Sequence, residues 1–289
     1  MRVEDFDLFA KFVYQRSGLV LTKEKAYLLD SRLMPVARRW NFKDLGELAN
    51  ALRSKSDEAL LADITDAMTT NESSFFRDQK PFDQFRQVVL PRFLQARAAT
   101  RRLRIWSAAC SNGQEPYSLA MILDEEASKM PGWTIEIVAT DLCREVLEKA
   151  KQGLYTQFEV QRGLPITMLV KHFTQIGDKW QISKQMQGKI KFQQFNLLEP
   201  MTALGQFDIV FCRNVLIYFD PATKAKVLEG IGRQMPPDGI LYLGGAETVL
   251  GVTQAFKPMD GQRGLYVHGS AASTSAAVPG VTPAATAVR

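Results

Sequence analysis

Histidine and cysteine are scarce in this chain of 289 residues, which contains two of the first and three of the second. The two histidines, His172 and His268, are too few for a His-rich metal site and leave little choice for a histidine general base. The three cysteines, Cys110, Cys143 and Cys212, form neither a C-x-x-C motif nor a disulfide framework. We therefore expect no metal ion, and a protein that works in a reducing compartment such as the cytoplasm.

Long apolar runs are also absent. No stretch approaches the roughly 18 consecutive apolar residues of a transmembrane helix, and residues 1–5 do not begin the apolar segment of a signal peptide. A composition of 46% hydrophobic and 23% charged residues is that of an ordinary globular protein. The sequence thus predicts a cytoplasmic protein without direct membrane insertion.

Positive charge is concentrated in the first part of the chain. The net charge is +5; residues 1–104 contain 19 Lys and Arg against 14 Asp and Glu, whereas residues 105–289 contain 17 of each. Such an excess suits contact with nucleic acid, a membrane surface or an acidic protein, and it is equally compatible with a solvated helical surface. Because basic and aromatic residues are not interleaved as in a nucleic-acid platform, we expect no nucleic-acid partner.

The periodicity of apolar residues divides the chain into parts. Residues 1–75 predict a small all-α domain, because apolar residues recur there at helical spacing, and residues 76–100 predict a linking helix. Strands and helices alternate over residues 101–268, which indicates an α/β domain with a parallel sheet. Residues 269–289 are rich in Ala, Ser, Thr, Pro and Val, and we expect this tail to be disordered.

The most informative stretch runs from a short strand at 103–107, through a turn of small residues at 108–113, into a helix. In doubly wound sheets, such a strand, turn and helix begin the crevice that binds the ligand. Gly113 can adopt a positive φ at this turn without steric cost. The next predicted strand ends on Asp141, and an acid at this position commonly binds ribose hydroxyls. The sequence therefore predicts a nucleoside-bearing ligand.

The turn lacks the dinucleotide fingerprint G-x-G-x-x-G, because Gly113 is followed by Gln114, Glu115 and Pro116. The charge of Glu115 would repel a pyrophosphate, but it would not repel the amino group and the sulfonium of S-adenosylmethionine. S-adenosylmethionine therefore fits better than NAD. The alternative is that Glu115 only occupies the first helical turn, where the helix dipole favours acids.

Two later stretches, 180–183 and 190–193, alternate around Gly188 like antiparallel strands. They predict a small antiparallel β-subdomain at about residues 172–195, appended to the main sheet. Residues 264–268 predict a last strand, at the edge of the main sheet.

Four segments together resemble one family, the chemotaxis receptor methyltransferases known as CheR. They are residues 69–77 (TTNESSFFR), 106–118 (WSAACSNGQEPYS), 139–141 (ATD) and 207–219 (FDIVFCRNVLIYF), and their order and spacing match over residues 1–268. The resemblance implies a class I, Rossmann-like S-adenosylmethionine-dependent methyltransferase fold behind an all-α N-terminal domain. It also implies methylation of glutamate side chains on the cytoplasmic helical bundle of chemoreceptors, as in chemotactic adaptation.

The resemblance also implies roles for individual residues. The basic helix of the N-terminal domain would dock on the receptor through Arg32, Arg38 and Arg39. The loop at 175–179 is short, and this departure from some relatives argues against dependence on a receptor pentapeptide tether. The implied cofactor-binding residues are Asn71, Ser73, Arg77, Glu115, Asp141, Asn196, Leu197, Arg213 and Asn214.

Two of the implied positions depart from the pattern of the family. Ser73 stands where relatives often have Thr, and both residues keep the hydroxyl. Gln114 stands where relatives often have Glu, so one acid at the turn is absent and Glu115 remains.

Methyl transfer to a carboxylate needs little proton transfer, since a glutamate with a reference pKa of about 4.3 is already ionised near neutral pH. We expect the protein to align the reacting atoms and exclude water, without a proton-transferring catalytic residue. Arg213, Asn214 and Tyr218 are candidates to orient the acceptor carboxylate, or else they cap the end of the sheet. Arg77 is a candidate to pair with a carboxylate.

Two cysteines and two phenylalanines near the predicted site can be explained by packing alone. Cys110 and Cys212 are read as small packing residues, because no base for a nucleophilic cysteine is evident. Phe75 and Phe76 either cover the cofactor or join the helical domain to the sheet. Two other function classes stay open: a methyltransferase that acts on another acceptor, and a module that senses S-adenosylmethionine without turnover.

Overall fold

A computed structural model describes residues 2–54 and 57–270. Ten strands occur in these residues, numbered in chain order: β1 Arg102–Ala108, β2 Thr134–Asp141, β3 Leu154–Thr156, β4 Phe173–Ile176, β5 Lys179–Ile182, β6 Ile190–Gln194, β7 Ile209–Cys212, β8 Ile240–Leu243, β9 Phe256–Met259 and β10 Gln262–His268. The tail predicted to be disordered, 269–289, lies outside the described residues from residue 271 onward.

The helices of the described residues are α1 Val3–Ser17, α2 Tyr27–Arg39, α3 Leu45–Arg53, α4 Glu58–Met68, α5 Lys80–Gln84, α6 Leu90–Ala96, α7 Gln114–Glu125, α8 Arg144–Gln152, α9 Gln157–Gln161, α10 Ile166–His172, α11 Lys184–Gln187 and α12 Pro221–Arg233. A π-helical segment, Phe85–Val89, joins α5 to α6, so the three form one continuous linking helix. Helices α1 to α4 enclose a core of their own that includes Phe9, Leu33 and Ile64.

Seven strands form the main sheet, in the order β6-β2-β1-β7-β8-β10-β9. The five from β6 to β8 are parallel, and β10 runs antiparallel to both of its neighbours. This confirms the predicted α/β class. The strand order reverses direction between β1 and β7, and in open sheets of this kind ligands bind at the carboxyl ends of the strands at such a switch point.

The predicted antiparallel pairing of 180–183 with 190–193 is wrong. The small sheet has the order β3-β5-β4, whereas β6 lies parallel to β2 at one edge of the main sheet. An edge strand with one covered face shows the same alternation as a hairpin strand, so the pattern could not tell the two apart. The β-subdomain therefore does not extend to residue 195. The strand predicted at 264–268 exists as part of β10, but it does not lie at the edge of the main sheet, because β9 pairs with its outer side.

The connecting segment, residues 69–79, lies between α4 and α5 and is anchored by its two aromatic residues. Phe75 packs edge-on against Tyr155 and Phe173, with ring centroids 5.0 Å and 5.6 Å away. The backbone N–H of Phe76 donates to Ser118 Oγ at 3.0 Å. Both rings are buried in the core, which supports their interpretation as packing residues rather than as a cover for a ligand.

The N-terminal domain contacts the carboxyl ends of the sheet strands through specific bonds. The N–H of Val20 donates to the carbonyl of Tyr218 at 3.0 Å. Arg144, at the start of α8, forms ion pairs with Asp63 and Asp66 of α4 at 3.0 Å and 2.9 Å. The N-terminal domain therefore packs against the segments that follow β7 and β2.

Two glycines with the same φ allow a test of how tightly the small sheet packs on α8. Gly153 and Gly177 both have φ +61°, but a Cβ on Gly153 would overlap Cγ2 of buried Ile182, whereas a Cβ on Gly177 would meet nothing within 4 Å. We expect Gly177→Ala to cost about 1–2 kcal/mol of unfolding free energy from backbone strain. Gly153→Ala should cost roughly 1–3 kcal/mol more from overpacking. Urea denaturation followed by circular dichroism measures both, and equal losses would contradict the packing difference.

Candidate functional site

One pocket at the carboxyl ends of β1, β2 and β7 brings together every residue predicted to bind the cofactor. It contains about 950 Å³ of empty space, mouth included. Its apolar wall includes Leu19, Phe195 and Val215. The predicted residues that line it are Asn71, Ser73, Arg77, Glu115, Asp141, Asn196, Leu197, Arg213, Asn214 and Tyr218.

The turn after β1 is shaped by three left-handed residues, Ala109 (φ 60°), Ser111 (φ 51°) and Gly113 (φ 86°). A Cβ on Gly113 would lie 2.9 Å from Cβ of Ala150, so glycine is required there by packing against α8. Ala109 and Ser111 line the pocket instead. A left-handed residue with a side chain costs about 1–2 kcal/mol, so other interactions must hold this turn.

Asp141 and Ser111 supply those interactions. The Asp141 carboxylate accepts the N–H of Ser111 at 2.8 Å and that of Cys143 at 3.0 Å. The Ser111 hydroxyl donates to the carbonyl of Asn71 at 2.7 Å, which ties the turn to the connecting segment. Burial raises the pKa of Asp141 above its ordinary value although these N–H groups oppose the shift. A carboxylate offers about four acceptor sites, so Asp141 retains capacity for hydroxyl donors such as those of a ribose.

Glu115, at the start of α7, forms an ion pair with the buried Arg213. Glu115 accepts from Ser107 Oγ at 2.8 Å and from Arg213 Nη1 at 2.9 Å. Arg213 Nη2 donates to Asp78 and to the carbonyl of Arg77, at 2.8 Å and 2.9 Å. Its side chain is 2% exposed, and its Nε is buried without a partner among the described residues. Arg213 is therefore a buried counter-charge for these two carboxylates, and its contacts within the protein bear on both predicted roles, orienting an acceptor and capping the end of the sheet.

The side chains of three other predicted residues form hydrogen bonds to other parts of the protein. Asn196 donates to the carbonyl of Arg16 at 2.7 Å and accepts from the N–H of Leu198, so its amide joins the N-terminal domain to the loop after β6. Asn71 Nδ2 donates to Thr69 Oγ1 at 2.9 Å. Arg77, the third, donates to a backbone carbonyl in the connecting segment and pairs with no carboxylate among the described residues.

Comparison with known proteins identifies the family. The profile for the "CheR methyltransferase, SAM binding domain" matches residues 71–265, and that for the "CheR methyltransferase, all-alpha domain" matches residues 4–69. The chain belongs to the CheR methyltransferase family. Its two matched domains correspond to the α/β domain and to the helical domain described above.

Curated relatives match nearly the whole chain. Chemotaxis protein methyltransferase Cher2 of Pseudomonas putida is 38% identical over 265 residues, which cover 90% of this chain and 96% of that protein. Chemotaxis protein methyltransferase 1 of Pseudomonas aeruginosa is 41% identical over 85% of this chain and 90% of its own length. Chemotaxis protein methyltransferase 1 of Vibrio cholerae is 37% identical over 88% and 92%.

The polar and apolar groups that line the pocket fit S-adenosylmethionine, the ligand for which the matched family domain is named. Asp141 offers acceptors for ribose hydroxyls, Glu115 offers a negative charge for a cationic ligand, and Leu197 with Phe195 gives the apolar wall that an adenine ring needs. Within residues 2–54 and 57–270, no group of three or more His, Cys, Asp or Glu could hold a metal ion. No helix of the same residues could cross a membrane.

Cys110 is buried and lines the pocket, and Cys212 is buried at the end of β7. Burial raises the pKa of both thiols well above the ordinary value, and the nearby acids add to the shift. Because the thiolate is the nucleophilic form, this direction supports the interpretation of both cysteines as packing residues.

The three arginines predicted to dock on a receptor differ in their surroundings. Arg38 and Arg39 are exposed on α2, and Arg39 lies 3.4 Å from Asp63. Arg32 is half-buried, and its guanidinium donates to the end of α4 and to Thr70. Arg32 thus differs from the two surface arginines, because its guanidinium is bonded within the protein.

Glu247 is a site residue that the sequence did not reveal. Its carboxylate accepts four backbone N–H groups, those of Gly244, Asn214, Val215 and Ile217, at 2.6 to 3.3 Å. These bonds hold Asn214 at φ 59° beside the pocket. Three of the four partners lie 30 to 33 residues earlier in the chain, so no local pattern indicated the contact.

Replacement of Glu247 tests this clamp. Glu247→Gln puts an amide donor against two of the four N–H groups, and an unsatisfied buried donor costs about 1–3 kcal/mol. We expect a lower midpoint of thermal unfolding and a roughly tenfold higher Kd for S-adenosylhomocysteine by calorimetry. The control is Glu229→Gln on the exposed side of α12. If both variants bind and melt like the unmodified protein, the loop does not depend on Glu247.

Proposed function

We propose that this protein transfers the methyl group of S-adenosylmethionine to glutamate side chains on the cytoplasmic helical bundle of chemoreceptors. The product is a glutamyl methyl ester, as needed for chemotactic adaptation. The observation that carries the proposal is the pocket at the switch point, where Asp141 and Glu115 are fixed in a chain of the CheR methyltransferase family. Its relatives are named chemotaxis protein methyltransferases.

The chemistry asks for positioning rather than proton transfer. S-adenosylmethionine supplies a methyl group on a sulfonium, and an ionised glutamate can accept it directly. No histidine lines the pocket, which is consistent with a reaction that needs no base. The protein's own contribution is to hold both reactants in line and to exclude water.

Electrostatics sets a second requirement, because the acceptor carries a negative charge into a pocket that is lined by three acids, Glu72, Glu115 and Asp141. Arg213 lies between Glu115 and Asp78 with bonds of 2.9 Å and 2.8 Å, and its buried positive charge reduces their combined negative charge. Arg77 lines the same pocket and adds a second positive group. This arrangement allows a carboxylate to approach without strong repulsion.

Tyr218 is the residue that we propose to orient the acceptor, with help from Asn214. Its carbonyl is bonded to Val20, which fixes the backbone, whereas its hydroxyl forms no hydrogen bond to the described residues. The side chain lines the pocket between the two domains. A hydroxyl at the wall of the pocket can donate to the carboxylate of the acceptor.

The proposal places the receptor on the basic face of α2, through exposed Arg38 and Arg39, in the cytoplasm and without a metal ion or nucleic acid. A glutamate-rich receptor surface would meet the positive excess of residues 1–104. The β4–β5 hairpin closes with only Gly177 and Asp178 between paired Ile176 and Lys179. This short turn supports the expectation that no pentapeptide tether is required.

The test of the function is transfer of label from S-adenosylmethionine carrying a labelled methyl group to cytoplasmic fragments of the receptors from the same organism. We expect label that mild alkali releases, because a carboxyl methyl ester is labile to base. Alkali-stable label would show another acceptor chemistry. Binding of S-adenosylhomocysteine without any labelled product would favour a sensor without turnover.

The role of Tyr218 is tested by Tyr218→Phe, which removes only the hydroxyl. We expect kcat to fall about tenfold to a hundredfold, with little change in Kd for S-adenosylhomocysteine, because the lost bond is made to the acceptor. Tyr242→Phe is the control, since the buried hydroxyl of Tyr242 has no partner among the described residues and should be dispensable. An unchanged kcat in Tyr218→Phe would remove Tyr218 from the mechanism.

A further inference from the structure

Arg32 of α2 forms three hydrogen bonds to a short stretch of chain at the edge of the pocket. Its Nη1 donates to the carbonyls of Met68 and Thr69 at 2.8 Å and 3.1 Å, and its Nη2 donates to Thr70 Oγ1 at 3.0 Å. The side chain is half-buried. An arginine used in this way is directed into the protein rather than toward a partner.

The position is one where a positive, forked donor is favoured. Met68 is the last residue of α4, and the final carbonyls of a helix lack intrahelical partners and carry partial negative charge. The planar guanidinium can reach two carbonyls and a hydroxyl at once, whereas an ammonium offers a single point of charge. Arg32 thus fixes both the end of α4 and the direction in which the chain leaves it.

The residues that Arg32 holds lead directly into the pocket. Thr69, Thr70 and Asn71 all line it. The side-chain amide of Asn71 donates to Thr69 Oγ1 at 2.9 Å. The backbone carbonyl of Asn71 accepts from Ser111 Oγ at 2.7 Å. The N–H of Ser111 in turn donates to Asp141 at 2.8 Å. A continuous set of hydrogen bonds therefore runs from α2 to the buried carboxylate of the pocket.

The exposed arginine of the same helix provides the contrast. Arg38 is exposed on α2, six residues further along, and its side chain does not line the pocket. It shares the helix and the charge of Arg32 but not its bonds to the connecting segment. Arg38 is therefore a matched control for an effect that depends on those bonds.

We propose that Arg32 is a positioning residue for the cofactor pocket, acting through Thr69, Thr70 and Asn71, rather than a receptor-docking residue. The inference rests on the proposed function, since it takes the pocket to be the S-adenosylmethionine site. It predicts that Arg32 controls cofactor affinity when no receptor is present, whereas Arg38 controls affinity for the receptor only.

The experiment measures Kd for S-adenosylhomocysteine by calorimetry on the full chain without receptor, and then KM for receptor fragments. Arg32→Ala should raise the Kd about tenfold to a hundredfold, and Arg32→Lys should raise it less, because an ammonium can keep part of the bonds. Thr70→Val, which removes one acceptor at nearly constant volume, should raise it about threefold. Arg38→Ala should leave the Kd unchanged and raise the receptor KM.

A structural loss in Arg32→Ala is separated from a positioning effect by the milder variants. If Arg32→Lys and Thr70→Val keep the thermal midpoint of the unmodified protein and still weaken binding, the positioning role stands. If both bind S-adenosylhomocysteine normally while Arg32→Lys raises the receptor KM, Arg32 is a docking residue and the inference is wrong. Absence of S-adenosylhomocysteine binding in the unmodified protein would instead overturn the proposed function, and the inference with it.

Discussion

The pocket depends on the two hydrogen bonds of Ser111. Its N–H binds Asp141 at the end of β2, and its hydroxyl binds the carbonyl of Asn71 in the connecting segment. These bonds hold Ser111 in a left-handed conformation that costs about 1–2 kcal/mol, and two hydrogen bonds, one to a charged group, can offset that cost. One residue thus aligns the turn after β1, the acid of β2 and the segment that comes from the N-terminal domain.

Charge balance is the second constraint on the pocket. Asp141 accepts two backbone N–H groups and forms no ion pair within the described part of the chain, and burial raises its pKa. Glu115, in contrast, pairs with Arg213. The two acids therefore differ in what they can offer. Asp141 suits neutral hydroxyl donors, because they satisfy its free lone pairs without a counter-charge. Glu115 places a carboxylate beside the start of α7, where it attracts a cationic ligand, and Arg213 reduces its repulsion of a carboxylate acceptor.

The sequence was sufficient for features that depend on local chemistry. The strand, turn and helix around Gly113, the helical N-terminal part and the linking helix all follow from periodicity and from residues that favour turns. Ile190–Gln194 shows where such reasoning stops, because alternation along a strand does not say which neighbour it pairs with. Register and strand order are set by the whole sheet, which buries β6 against β2 and α8.

The family resemblance predicted which residues line the pocket, but it did not predict the hydrogen-bond partners of their side chains. Asn196 and Arg213 line the pocket, and Arg32 lies on α2, where the family resemblance implied receptor docking. Their polar atoms nevertheless bind Arg16, Glu115 and Met68. Each of these partners lies at least 36 residues away along the chain, so only the tertiary fold decides the pairing. Polar residues around the pocket can therefore serve to hold its walls as well as to touch a ligand. The two roles separate only when affinity for the cofactor and affinity for the acceptor are measured independently.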